Sequence, residues 1–155
     1  MNMKKYRFGV LGAGSMGKTI AAGAVRAGLL RKDEVLLFNR SEEKRAANAA
    51  EGFFNDTATT EIYTESDMVL LSVKPQNFAE VLPVLAGCKC EKPLVLSIAA
   101  GISFAKIENA LGADTPIIRA MPNTPLMLGV GATQLVKNAA ANEEQLAEVR
   151  GLFDA

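Results

Sequence analysis

The chain has no histidine and no tryptophan among its 155 residues, and only two cysteines. Without histidine, acid–base chemistry falls to other side chains or to a bound ligand, and zinc sites that use histidine are excluded. Cys88 and Cys90 are separated by one residue, so a disulfide between them would be badly strained. We therefore expect free thiols, as in the cytoplasm, and no metal site.

Net charge and long apolar runs are also lacking. The 17 basic residues balance the 17 acidic ones, which argues against nucleic acid or an anionic membrane as the main partner. No apolar run approaches the roughly 20 residues of a membrane span, and the polar residues 1–7 do not resemble a signal peptide. With 49% hydrophobic and 22% charged residues, we expect one globular domain over residues 1–155.

Apolar runs alternate with helical stretches along the chain. Strands are predicted at 8–11, 35–38, 68–73, 94–98, 116–121 and 131–136, and helices at 15–27, 42–51, 77–85, 103–111 and 142–153. Ser41 and Asn142 are predicted helix N-caps, and Gly28 a C-cap. Such alternation is typical of an α/β fold with a doubly wound, Rossmann-type parallel sheet, whose ligand crevice lies at the carboxyl ends of the strands.

Residues 55–64 do not fit this alternation. They show no helical period, although the fold requires a strand and a short helix between Glu51 and Asp67. Read back through codons, the ten residues match the translation of a widely used sequencing-adapter oligonucleotide, so we expect a non-native insertion or replacement. The alternative is a native Thr-rich β segment.

A glycine motif, GxGxxG, directly follows the first predicted strand and opens the first predicted helix. Its glycines are Gly12, Gly14 and Gly17. The first allows a tight turn, the second a close approach of backbone to a pyrophosphate, and the third close packing of helix on strand. The free N–H groups at the start of the helix then favour phosphate. The motif in this context predicts dinucleotide binding.

The end of the second predicted strand favours NADP(H). An enzyme that prefers NAD usually places a carboxylate here, to bond the ribose 2′-hydroxyl. This chain has Asn39, Arg40 and Ser41 instead, and an arginine with a hydroxyl suits a 2′-phosphate. Use of NAD(H) as well remains open.

Three further loops follow predicted strands on the same rim. Lys74 and Pro75 come after one strand, small residues after the next, and the proline-flanked pair Asn123 and Thr124 after a third. Small residues let backbone approach a flat ring such as nicotinamide. Lys74 is the candidate acid of the chain, if burial lowers its pKa; otherwise it positions ribose.

These motifs, taken in order, resemble the N-terminal domain of pyrroline-5-carboxylate reductase. The resemblance rests on GAGSM at 12–16, NRS at 39–41, SVKPQ at 72–76, SIAAGI at 97–102 and RAMPNTP at 119–125. It implies NADPH-dependent reduction of 1-pyrroline-5-carboxylate to L-proline, the last step of proline biosynthesis. The implied coenzyme contacts are Leu11, Gly12, Ala13, Gly14, Ser15, Met16, Asn39, Arg40, Ser41, Ser72, Val73, Lys74, Pro75, Ile98, Ala99, Ala100, Asn123 and Thr124.

The resemblance also implies what the chain lacks. Family members continue into a helical domain that forms a homo-oligomer and supplies much of the substrate pocket, so we expect the 155 residues alone to be inactive. The family's adenosine-contacting Asn falls in the suspect segment, and Asn55 is not a secure counterpart. The alternatives are another NADP-dependent reductase, of the 3-hydroxyacid dehydrogenase or deazaflavin-dependent type, and a non-enzymatic dinucleotide-binding module.

Overall fold

The computed structural model describes residues 6–12, 15–38, 41–55, 59–99, 101–122 and 133–153. Seven strands form one sheet: β1 (Tyr6–Leu11), β2 (Val35–Phe38), β3 (Phe54–Asn55), β4 (Ser66–Leu71), β5 (Leu94–Ser97), β6 (Ile117–Pro122) and β7 (Thr133–Lys137). The helices are α1 (Ser15–Arg26), α2 (Glu42–Ala50), α3 (Thr59–Glu65), α4 (Phe78–Ala86), α5 (Phe104–Leu111) and α6 (Glu143–Phe153). Short 3-10 turns occupy Lys32–Glu34 and Pro75–Asn77.

The strand order is β3-β2-β1-β4-β5-β6-β7. All neighbouring pairs are parallel except β6 and β7. This confirms the Rossmann-type fold, with one difference: the last strand returns antiparallel to its neighbour. The order of the strands reverses between β1 and β4, which is where α/β sheets of this kind bind their ligands.

Helices cover both faces of the sheet, which explains the nearly continuous apolar strands. One buried cluster joins Ala21 and Ala24 of α1 to Val149 of α6 across Val10. The other joins α3, α4 and α5 across the opposite face, where Leu11 points. Successive side chains of a strand point to opposite faces of the sheet, and both faces are covered by helices. The side chains on both faces must therefore be apolar here.

The predicted helix ends are confirmed at three positions. Ser41 Oγ accepts a hydrogen bond from the backbone N–H of Lys44 at 3.2 Å, and Asn142 Oδ1 accepts one from Gln145 at 2.7 Å. Gly28 follows α1 with a φ of +79°. The two side-chain caps pair with N–H groups that the first turn of a helix leaves unpaired. The positive φ of Gly28, which only glycine adopts without strain, follows the end of α1.

Residues 55–64 depart from what their pattern indicates. The segment supplies the second residue of β3 and most of α3, so the strand and the short helix that the fold requires between Glu51 and Asp67 are present although the local sequence has no helical period. Ile62 and Tyr63 are 0% and 2% exposed, and burying these two side chains favours a helix where the local sequence does not. Burial also raises the pKa of Tyr63 to about 12.

Asn138, just after β7, holds four elements together. Its Oδ1 accepts hydrogen bonds from the backbone N–H groups of Ile117 at 3.0 Å and Ala141 at 3.1 Å. Its Nδ2 donates to the Thr115 carbonyl at 3.0 Å and to Glu108 Oε2 at 2.9 Å. This buried amide therefore connects β6, β7, α5 and the start of α6 with all its side-chain groups paired.

Within the described residues, both cysteines are free thiols. No helix described there combines the length and the apolar character needed to cross a bilayer. The described part of the chain also holds no group of three or more His, Cys, Asp or Glu side chains arranged for a metal ion.

Candidate functional site

The carboxyl edge of the sheet brings the predicted loops together. The pairing register aligns the last residues of consecutive strands in one row, namely Phe38, Leu11, Leu71, Ser97 and, on β6, Arg119. The turns that follow β1, β4 and β5 therefore leave the sheet side by side. This is the arrangement that the apolar strands predict for a ligand crevice.

The turn after β1 is tied to the strands on either side of it. The backbone N–H of Gly12 donates to the carbonyl of Phe38 at 3.0 Å, and that of Ser72 donates to Leu11 at 2.8 Å. Gly12 has a φ of +78°. A methyl group at Gly12 would lie 2.9 Å from Val73 Cγ1 and 3.0 Å from the carbonyl oxygen of Ser72. Only glycine meets both demands here.

Gly17, the third glycine of the motif, lets α1 lie directly on the sheet. A methyl group there would lie 2.8 Å from Ser72 Oγ and 2.9 Å from Val10 Cγ1. The close helix–strand packing that the motif predicts is therefore present, and it involves the loop after β4 as well as β1. Met16, next to it in α1, is half-buried against the core.

The edge beyond β2 is described in part. Ser41 is half-buried and caps α2, so its backbone and side chain already organise the amino end of that helix. Asn39 and Arg40, the other two residues predicted to contact the adenosine side, lie outside the described residues. A cap that presents its helix terminus toward the ligand edge is compatible with phosphate binding.

Lys74 is exposed, which contradicts the buried position that a proton-donating lysine requires. It precedes the 3-10 turn that Pro75 opens, and its carbonyl accepts a hydrogen bond from the N–H of Asn77 at 2.8 Å. Ser72 and Val73, predicted as the end of a strand, belong to the loop after β4 and are half-buried.

The loop after β5 is held close to the sheet. Ile98 is half-buried, Ala99 is buried, and the N–H of Ala99 donates to Ser97 Oγ at 3.4 Å. Gly101 has a φ of +79°. Ser103 then caps α5 by accepting a hydrogen bond from the N–H of Lys106 at 3.2 Å. The approach of this backbone to a flat ring stays a prediction.

Several predicted coenzyme residues cannot be placed. Besides Asn39 and Arg40, Ala13, Gly14, Ala100, Asn123 and Thr124 lie outside the described residues, and Ser15 is described only as the first residue of α1. Two clefts elsewhere, one between α3 and α4 and one at the amino edge beside Phe8, contain none of the predicted coenzyme residues.

One contact at this edge was missed from the sequence. The guanidinium of Arg119 lies 5.7 Å from the centroid of the Phe104 ring, within the range of a cation–π contact. Both side chains are half-buried. The available signal was an arginine inside an otherwise apolar strand, but its partner depends on the packing of α5 and is not legible from spacing.

The chain is similar to several known oxidoreductases. Residues 7–101 match the family model described as NADP oxidoreductase coenzyme F420-dependent. A curated pyrroline-5-carboxylate reductase of Corynebacterium melassecola is 34% identical over 148 residues, covering 93% of this chain and 54% of the relative. The sequence resemblance is thereby confirmed. The chain spans about half the length of the curated relatives that it matches.

Solved structures show the same likeness. A pyrroline-5-carboxylate reductase from Coxiella burnetii superposes with a TM-score of 0.89 at 28% identity, over 99% of this chain and 56% of that one. The Plasmodium falciparum pyrroline carboxylate reductase, solved with NADP bound, gives a TM-score of 0.83 at 25% identity, over 99% of this chain and 56% of that one.

Proposed function

Because the chain belongs to the family described as NADP oxidoreductase coenzyme F420-dependent, we propose that it is the NADP(H)-binding half of a pyrroline-5-carboxylate reductase. When bound, NADPH would supply the hydride that reduces the C=N carbon of 1-pyrroline-5-carboxylate, and protonation of the nitrogen would complete L-proline. The residues of this chain bind and orient the coenzyme, and the redox chemistry belongs to the coenzyme itself.

The observation that carries the proposal is the interlocked turn at the strand-order switch. Gly12 and Gly17 both pack against the loop that begins at Ser72, with no room for a side chain. This contact holds the amino end of α1 at the sheet edge, where its unpaired N–H groups favour a pyrophosphate.

The remaining roles are proposed along the same edge. Leu11 to Met16 hold the pyrophosphate, and Asn39, Arg40 and Ser41 take the adenosine ribose and its phosphate. The loops 72–75 and 98–100 line the nicotinamide ribose and ring, and Asn123 and Thr124 lie toward the substrate. The exposure of Lys74 favours contact with ribose over proton donation.

Selectivity for NADP(H) follows from the end of β2, where no carboxylate is present to bond a ribose 2′-hydroxyl. Arg40 supplies a charge-assisted partner for a 2′-phosphate. A hydrogen bond to a charged group is worth about 1.5–3 kcal/mol, so we expect NADPH to bind about 10-fold to 100-fold more tightly than NADH.

A fluorescence titration of NADPH and NADH tests this assignment. Arg40→Ala should weaken NADPH binding to the level of NADH and leave NADH binding unchanged. Arg150→Ala, which removes an exposed arginine from α6, is the matched control and should change neither affinity. Equal affinities of the wild type for the two coenzymes would refute the phosphate role of Arg40.

We assign catalytic turnover to a protein that also contains the half of the relatives that this chain does not span. The proposal is that the 155 residues form one dinucleotide-binding domain that binds coenzyme, and that they do not reduce substrate alone. The full-length protein would act in the cytoplasm as a homo-oligomer. A steady-state assay with NADPH and 1-pyrroline-5-carboxylate should therefore show no turnover by the 155-residue chain.

A further inference from the structure

Arg119 lies at the ligand edge of the sheet but has no part in the coenzyme contacts assigned above. It is half-buried, which is unfavourable for a charge that lacks a partner. In the part of the chain that the structure describes, no ion pair includes Arg119. The face of the Phe104 ring, 5.7 Å away, is its partner among those residues.

The position of Arg119 relates it to both ends of one loop. On the ladder between β5 and β6 it is paired with Ser97, the residue at which the loop 98–103 begins. Through its guanidinium it contacts Phe104, the residue at which that loop ends and α5 begins. Arg119 is therefore linked to the start of the loop proposed to face nicotinamide through its backbone, and to the end of that loop through its side chain.

Other contacts at the two ends reinforce this geometry. Ser97 Oγ accepts the N–H of Ala99, which turns the chain back over the end of β5. Ser103 Oγ caps α5 and thereby fixes Phe104 as the first residue of that helix. Between these anchors Gly101 has no side chain to pack, and a methyl group there would meet nothing within 4 Å.

We propose that Arg119 is a positioning residue for the nicotinamide half of the coenzyme, acting through its cation–π contact with Phe104 on the loop 98–103. This inference rests on the proposed function. The loop lies beside β4 and β6, whereas the adenosine half is assigned to β2, on the other side of β1. Arg119 therefore acts on one half of the ligand and not on the other.

Two ligands separate the two halves of the site. NADPH uses both, and 2′,5′-ADP uses only the adenosine half. We expect Arg119→Gln and Phe104→Leu each to weaken NADPH binding about threefold to tenfold, the range of one partly desolvated cation–π contact. Binding of 2′,5′-ADP should stay unchanged in both variants, because the loop after β5 does not reach that half.

Three further variants make the test specific. Arg119→Lys keeps a cation over the ring and should retain most of the NADPH affinity. The double variant Arg119→Gln/Phe104→Leu should bind NADPH no more weakly than either single variant, because both remove the same contact. Arg7→Gln, on β1 at the opposite edge, removes a half-exposed arginine and should leave both affinities unchanged. Thermal melts by circular dichroism confirm that each variant is folded.

The outcomes decide between this inference and the function on which it rests. Unchanged NADPH affinity in Arg119→Gln overturns the positioning role and leaves the proposed function standing. So does an equal loss for NADPH and 2′,5′-ADP, which marks a general structural defect, and so does a fully additive double variant. If the wild type binds neither ligand, the proposed function fails and this inference falls with it.

Discussion

Replacing Asn138 with alanine should destabilise the fold more than any exposed polar substitution. The change leaves two buried backbone groups without their partner, namely the N–H of Ile117 and the carbonyl of Thr115. The N–H of Ala141 loses Oδ1 but keeps the backbone carbonyl of residue 138 as an acceptor at 3.3 Å. Ile117 and Thr115 are 0% exposed and Ala141 is 3% exposed, so water does not readily replace the lost hydrogen bonds.

The magnitude follows from the cost of unpaired buried groups. Each costs about 1–3 kcal/mol, and partial relaxation keeps the total toward the lower end of the sum. We expect the free energy of unfolding to fall by about 2–4 kcal/mol, against a total of about 5–15 kcal/mol for an ordinary domain. The variant should fold, with a much lower urea midpoint.

Urea denaturation followed by circular dichroism measures this loss, with Asn142→Ala as the matched control. Asn142 is an exposed N-cap, and its removal should cost about 1 kcal/mol. Asn138→Asp keeps both accepting contacts but places a second carboxylate against Glu108, so Glu108→Gln should restore part of its stability. An Asn138→Ala loss no larger than that of Asn142→Ala would show that the amide is not a structural centre.

Two further predictions concern the turn after β1 and the segment 55–64. Gly12→Ala should abolish NADPH binding and lower the melting temperature by more than Gly28→Ala does. Both glycines have positive φ, but of the two only Gly12 has atoms within 4 Å of the added methyl group. Equal melting temperatures of the two variants would contradict the steric contact at Gly12. The pKa of Tyr63, raised by burial to about 12, favours the neutral phenol in the folded state. The contribution of Tyr63 to the free energy of unfolding, about 2 kcal/mol in all, is full below pH 10 and is lost as the pH rises through 12. In urea unfolding at pH 9 and at pH 12, Tyr63→Phe should therefore lose less stability between the two pH values than the wild type. An equal loss in both proteins would show that Tyr63 does not cause it.

Much of the fold is legible in the sequence because the two faces of the sheet impose a simple pattern. Runs such as Val35–Phe38 are apolar throughout, and Ser41 and Gly28 mark helix ends by chemistry that acts locally. The antiparallel direction of β7 is not legible in this way, because an apolar run does not specify strand direction. Pro83 shows the same limit: a proline inside a helical pattern predicts a weakened helix end, but α4 continues to Ala86 with Pro83 exposed.

The candidate site likewise has parts that the sequence predicts and parts that it does not. The glycine positions are predictable because each one answers a backbone requirement that only glycine meets. Asn138 and Arg119 were not predicted as contacts, because their partners come from elements that are distant in sequence. The foreign origin of residues 55–64 stays a prediction, since buried packing of Ile62 is possible for a native or a replaced segment. Sequencing the same locus from an independent library decides it, and a decapeptide that persists there would end the adapter hypothesis.

The hydrogen bonds from Gly12 to Phe38 and from Ser72 to Leu11 continue the ladders of the sheet one residue beyond the strands. The base of the crevice is therefore an extension of β2, β1 and β4 and not a separate loop region. We expect a diphosphate that binds there to meet backbone whose position is set by the hydrogen bonds of the sheet. Since such a ligand binds the folded chain and not the unfolded one, we expect an occupied crevice to stabilise the whole domain against unfolding and not only its rim.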